Sequence, residues 1–149
     1  MKKQTMILMS LAIVLGMMLA MGNISFASSD YLSDYLLEFE TALTWEAVYD
    51  GFADRRDGWI SEVSSSSSAS ELGDLLLELE SWITWEAVYD GWSSKRDGWI
   101  RDVNRASSVD DLAGLLIELE TNTTWEAVYD WWSDRRSDWI SESQKCDDY

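Results

Sequence analysis

The seven residues Thr44-Trp45-Glu46-Ala47-Val48-Tyr49-Asp50 are written three times in this chain, again at 84–90 and 124–130, always 40 residues apart. Around each copy the match extends without insertion or deletion to Arg56, Arg96 and Arg136, to Trp59, Trp99 and Trp139, and to Ile60, Ile100 and Ile140. Upstream it takes in Leu32, Leu72 and Leu112, Leu36, Leu76 and Leu116, and the pair Glu38/Glu40 with its copies Glu78/Glu80 and Glu118/Glu120. Repetition at this period marks supersecondary units that bury their apolar faces on one another. The units span 28–67, 68–107 and 108–149.

Each unit carries two helical patterns. In a short helix Leu32, Leu36, Phe39 and Leu43 recur at spacings of three and four, as do Leu72, Leu76, Leu79 and Ile83. Ser68-Ala69-Ser70-Glu71 and Ser108-Val109-Asp110-Asp111 read as N-terminal caps ahead of it. A long helix follows, with Thr44, Thr84 and Thr124 as N-caps. It sets Trp45, Val48, Tyr49, Phe52, Arg56, Trp59, Ile60 and Val63 on one stripe at about 100° per residue. The chain has no proline and no alternating pattern, so nothing competes with helix. The expected fold is all-α: three tandem 40-residue hairpins, six helices, stacked as a short α-solenoid behind an N-terminal signal helix. Residues 64–68 and 104–108 are the loops between units.

In unit length and hairpin form the chain resembles the tetratricopeptide and HEAT repeats, though it shows neither consensus, so the likeness is one of architecture. Residues 112–125 also resemble the WHIM segments of chromatin remodellers. Acidity and expected export oppose that role, and no residue assignment is carried across.

On a wheel of the long helix Glu46, Asp50, Asp54 and Asp57 form an acidic ridge away from the apolar stripe, with copies at Glu86, Asp90 and Asp97 and at Glu126, Asp130 and Asp134. The ridge reads either as a solvated face or as a surface for a basic ligand or a weakly held divalent cation. No EF-hand loop is present, and no cofactor is expected. A third face brings together Ala47, Gly51 and Gly58, and again Ala87, Gly91 and Gly98. Helix-interior glycine costs about 1 kcal/mol relative to Ala, so close approach of the next unit is the expected compensation. In the third unit Trp131 and Asp138 replace those glycines, consistent with a last unit that has no successor. Trp131 is then expected to be exposed at the end of the stack, under a lid of tail or against another molecule. Cys146 lies in that tail and makes a dimer through the C-terminal end, disulfide-linked or tail-mediated, a candidate arrangement.

Most of the ten tryptophans sit at core spacing, Trp45 and Trp59 among them. Trp82 stands instead in the turn where the other units have Ala42 and Asn122; with Trp131 it is the candidate contact for a carbohydrate or a cationic ligand. Arg56, Arg96 and Arg136 fall on the apolar stripe, where a charge must be paired or stacked. Flanking aromatics such as Phe52 and Trp59, and Glu40, Glu80 or Glu120 on the facing helix, supply the partners, which makes these arginines structural.

Residues 1–27 have the layout of a secretory signal peptide: Lys2-Lys3, an apolar run to Met21, then Ser25-Phe26-Ala27. Cleavage there takes away two lysines and no acid, leaving 28 acidic residues against nine basic ones, a net charge of about −19. Such a charge opposes nucleic acid and anionic membranes and suits cationic partners. Without histidine, a phosphate loop or a nucleophile motif, the chain is not expected to be an enzyme. The expectation is an exported protein, secreted or of the cell envelope, that binds protein or basic peptide partners and does not insert into a membrane once cleaved. The alternatives are a self-assembling structural protein and, far behind, a carboxylate-dependent glycoside hydrolase.

Overall fold

A computed structural model of the chain describes residues 28–145; residues 1–27, where a signal peptide is expected, and Cys146 lie outside the described residues. Six helices are packed against one another: α1 (Ser28–Ala42), α2 (Phe52–Ser65), α3 (Ala69–Trp82), α4 (Trp92–Arg105), α5 (Val109–Thr121) and α6 (Trp132–Ser143). Among the described residues there is no strand beyond three isolated antiparallel bridges.

α1, α3 and α5 pack on one another, and each outer helix lies between its own inner helix and the next: α2 on α1 and α3, α4 on α3 and α5, α6 on α5 and α1. The inner contact requires small side chains. Ser33, Gly73 and Ala113 hold equivalent positions and are all buried; a Cβ on Gly73 would already stand 3.6 Å from Leu112 and from Val103. Leu32, Leu36, Phe39, Leu72, Leu76, Leu79, Leu112, Leu116 and Leu119 fill the centre at the spacings the periodicity predicts. The caps also form as expected. Ser68 Oγ accepts the Glu71 N–H at 3.1 Å and Ser108 Oγ accepts the Asp111 N–H at 3.2 Å.

The arrangement differs from an open solenoid, because the third unit closes on the first. Trp59 Nε1 donates to the Leu75 carbonyl (3.0 Å) and Trp99 Nε1 to the Leu115 carbonyl (2.9 Å), each reaching sixteen residues onward into the next unit. Trp139 donates instead to the Tyr35 carbonyl, 104 residues back in the first unit (3.1 Å). The bridges follow the same rule: Val48 with Ile83, Val88 with Thr123, and Val128 with Leu43. Each hairpin buries its outer tryptophan in its successor, and for the third hairpin the successor is the first.

The long helix is the second difference. Thr44 is extended and makes no side-chain cap; Trp45–Ala47 is one 3₁₀ turn, Val48 is extended again, and the α-helix begins at Phe52. The cause is the same closure. Tyr49 N–H donates to the Trp82 carbonyl and Thr84 N–H to the Ala47 carbonyl, both at 2.9 Å, so groups that would serve a helix serve the neighbouring unit. β-branched Val48 suits the extended bridge position. Within α2, Phe52, Trp59 and Val63 keep the predicted buried stripe.

Closure predicts tolerance of circular permutation. α2 and α3 are joined by the three residues 66–68, and the 40-residue offset makes residues 145 and 29 the equivalents of 65 and 69. A permutant opened between Ser66 and Ser67, with residue 145 joined to 29 by a three-residue linker, should melt within about 5 °C of the parent, about 1 kcal/mol. In an open stack the ends would lie about 20 Å apart, beyond the reach of that linker, and the permutant would not fold.

Candidate functional site

Three buried carboxylates anchor the seams beneath the repeated heptads. Glu40, Glu80 and Glu120 end the inner helices and are at most 6% exposed. Arg56 grips Glu40 with both arms of its fork (2.5 and 2.9 Å), and Arg96 grips Glu80 likewise (2.7 and 3.0 Å). In the third unit Arg136 makes one bond to Glu120 Oε1 (2.6 Å), leaves the buried Oε2 without a partner, and lies 5.8 Å from the Trp125 ring centroid. Trp92 and Trp132 add indole N–H donors to Glu80 and Glu120 at 3.2 Å, a bond that Phe52 cannot supply to Glu40. Burial outweighs the guanidinium at Glu40 and pushes its carboxyl above the usual range.

A second set of ion pairs crosses the seams nearer the surface. Arg55 reaches Glu78 of the next unit (2.7 Å), and Arg135 reaches back to Glu38 (2.5 Å); Lys95, the equivalent residue, makes no ion pair with Glu118. Arg55 also pairs with Glu62, and Arg135 with Glu142. The hydrogen bond from Arg55 holds the Glu78 carboxyl below its ordinary range, and that from Arg135 does the same for Glu142.

Above the buried carboxylates the heptads face water. Trp45, Trp85 and Trp125 are 48%, 59% and 58% exposed, and Tyr49 and Tyr89 are 44% and 46% exposed, although core spacing assigned these residues to the interior. The wheel misplaced them because it continued an α-helix through residues 45–51, which are not α-helical. Glu46, Asp50, Glu86, Asp90, Glu126 and Asp130 are exposed in the same segments, and no Lys or Arg lies within any heptad. The acidic ridge is therefore broken: Glu46 and Asp50 belong to the heptad turn, Asp54 and Asp57 to α2. Among the described residues no group of three or more His, Cys, Asp or Glu is placed to hold a metal ion. At the seam between the third and first units, Trp45, Thr44, Val48, Glu40, Arg56 and Tyr129 line a recess of about 20 Å³.

The remaining candidates fall in different places. Trp82 is not a turn residue exposed to solvent. It is the last residue of α3, half-buried, tilted on Phe52 at 5.7 Å, and donates its indole N–H to Glu78 at 3.3 Å. Trp131 is 43% exposed and stands edge-on to Trp132 at 5.8 Å. The glycine face expected to admit the next unit does so only at Gly51. An added Cβ at Gly51 would meet the Trp82 ring at 3.1 Å, but at Gly91 it would meet nothing within 4 Å, and at Gly58 and Gly98 only the mobile ends of Arg55 and Arg101. The small-residue contact that does exist, at Ser33, Gly73 and Ala113, is visible in sequence as one column of the repeat occupied by three small residues.

A family model described as a domain of unknown function (DUF8799) matches residues 74–123, one third of the chain. The matched stretch runs from α3 through one heptad and α4 to the end of α5, so it holds a complete seam with Glu80, Arg96 and the Trp99-to-Leu115 hydrogen bond. No curated protein and no solved structure matches the chain.

Two outcomes follow from the charges at the seams. Arg96→Met strands Glu80 in the interior and should lower unfolding free energy by about 3 kcal/mol, with part of that loss recovered in Arg96→Met/Glu80→Gln, as read by denaturant titration. Acidification acts in opposite directions on the two kinds of carboxylate. Glu78 and Glu142, with depressed native pKa values, contribute stability above pH 4.5 that is lost as pH falls through those values; Glu40, with a raised one, contributes more as pH falls through its own. Melting temperature measured from neutral to acid pH should therefore fall less steeply in Glu142→Gln and more steeply in Glu40→Gln.

Proposed function

We propose that the chain is an exported, non-enzymatic binding protein, secreted or of the cell envelope, that takes protein or peptide partners with exposed lysine or arginine side chains on its heptad face. The observation that carries this reading is the exposure of Trp45, Trp85, Trp125, Tyr49 and Tyr89 beside the carboxylates of Glu46, Asp50, Glu86, Asp90, Glu126 and Asp130. Large aromatics held out of a core that has room for Trp59, Trp99 and Trp139 are costly in water unless something covers them. An aromatic face beside a carboxylate suits an ammonium or guanidinium group, which the ring attracts through its quadrupole and the acid through its charge. The molecule already holds one such contact, Arg136 against Trp125.

The net charge of −17 draws in cationic partners and repels a second copy of the same face. The packing of unit three on unit one supports a binding module over end-to-end assembly through a stack. Export rests on the residues of the 1–27 segment read above, and among the described residues no helix is long and apolar enough to cross a membrane. A triplicated carboxylate surface also suits binding better than catalysis, which needs one asymmetric site.

A short arginine- and lysine-rich peptide titrated into the protein should change its tryptophan fluorescence, and the effect should weaken as salt is raised. The double variant Trp85→Ala/Trp125→Ala should bind at least about tenfold less tightly with the fold intact by circular dichroism. A neutral oligosaccharide that bound in place of the peptide would contradict the cationic reading.

A further inference from the structure

We infer that the three heptads act together on one partner, an extended peptide segment whose lysine or arginine side chains occupy two or three heptads at once. This rests on the function proposed above. Each heptad is hydrogen-bonded to both others: Thr84 N–H to Ala47 C=O (2.9 Å), Thr124 N–H to Ala87 C=O (2.8 Å) and Thr44 N–H to Ala127 C=O (2.9 Å). Because the same contacts recur from unit to unit and return to the first, equivalent residues turn toward the same end of the molecule. Trp45, Trp85 and Trp125 thus belong to one surface and not to three separate ones.

Chain geometry bounds their spacing. Trp85 is one residue from Thr84 and Trp45 two residues from Ala47, so the two Cα atoms are less than about 18 Å apart, a span that five or six extended residues cover. Charge identifies the occupant: the heptads present six exposed carboxylates and no base, so a segment carrying several cations is complementary and an acidic one is excluded. A single exposed cation–aromatic contact is weak. Linking such contacts on a tether that matches their spacing converts the later ones into intramolecular events and multiplies affinity by about 100-fold or more.

The test compares two probes on the full chain: N-acetyl-lysine amide, and a peptide with three lysines separated by five-residue Gly-Ser spacers. The single lysine should fill the heptad sites weakly, and the Trp125 site most weakly because Arg136 already lies against that ring. The three-lysine peptide should bind one to one, about 100-fold more tightly. Trp45→Ala and Trp85→Ala should each weaken the peptide by about tenfold and Trp125→Ala by less, and Glu46→Gln, Glu86→Gln or Glu126→Gln, which keep the rings, should weaken it in the same order. If the peptide binds no more tightly than the single lysine, or three peptides bind per chain, joint action is overturned while the binding function stands. If neither probe binds, or if binding ignores every substitution, the function proposed above fails with it.

Discussion

The exchange of backbone hydrogen bonds between neighbouring heptads is the constraint from which the rest of the structure follows. Each heptad gives one N–H and one carbonyl to the unit after it, through Tyr49 and Ala47, Tyr89 and Ala87, Tyr129 and Ala127, and meets the unit before through the N–H of Thr44, Thr84 or Thr124 and the carbonyl two residues upstream of it, that of Ala42, Trp82 or Asn122. A backbone committed in this way cannot be α-helical through residues 47–49, so the α-helix waits until Phe52. The loss is small, because the same donors and acceptors are satisfied across the seam. Trp45 and Tyr49 are turned outward by the same commitment, and the exposed surface is a by-product of the closure that holds the units together.

The buried glutamates lie one step below that exchange. An ionised carboxylate at the end of an inner helix is costly unless paired, and the arginine one turn into the outer helix is within reach only because the heptad folds back over the hairpin. The pair therefore ties the geometry of the turn to that of the core. Where Trp92 and Trp132 replace Phe52, the indole N–H supplies a further donor to the carboxylate, so the exchange of Phe for Trp adds a bond without adding an unpaired polar group. Arg136 makes one bond to Glu120 where Arg56 and Arg96 make two to Glu40 and Glu80, and the unpartnered Oε2 distinguishes the third seam from the first two.

Period, helix content, serine caps and most of the core were legible in the residues, because they depend on local spacing: Leu32, Leu36 and Phe39 mark an inner face whatever the units do next. Closure was not legible. A repeat of 40 residues is compatible with an open stack and with a ring, and the two differ only in whether Trp139 finds a residue such as Tyr35 across the whole chain. The placement of Trp45 failed for a related reason. Its 3.6-residue register with Trp59 and Val63 is real in the sequence, but no helix runs through Val48 to transmit it. The Glu40–Arg56 pairing could be reasoned from the chemistry of a buried charge, since it needed only that the two helices of a hairpin face each other.

Departures from threefold repetition concentrate where one unit meets the next, and there they compensate one another. Gly51 leaves room for the ring of Trp82, which tilts onto Phe52. In the third unit the bulk is on the other side: Trp131 takes the glycine position, Ala42 takes the tryptophan position and is fully buried, and Trp131 itself stands against Trp132, the equivalent of Phe52. The second seam has Gly91 and Asn122, with neither ring. Three seams with three different complements give the units an order, because exchanging two of them would set Trp131 against Trp82 or leave a glycine facing an alanine. The heptads carry no such divergence although most of their side chains are in water, where packing does not dictate identity. These seam positions differ while the heptads are identical, and the proposed binding of one extended partner across all three heptads accounts for side chains that packing leaves free to vary.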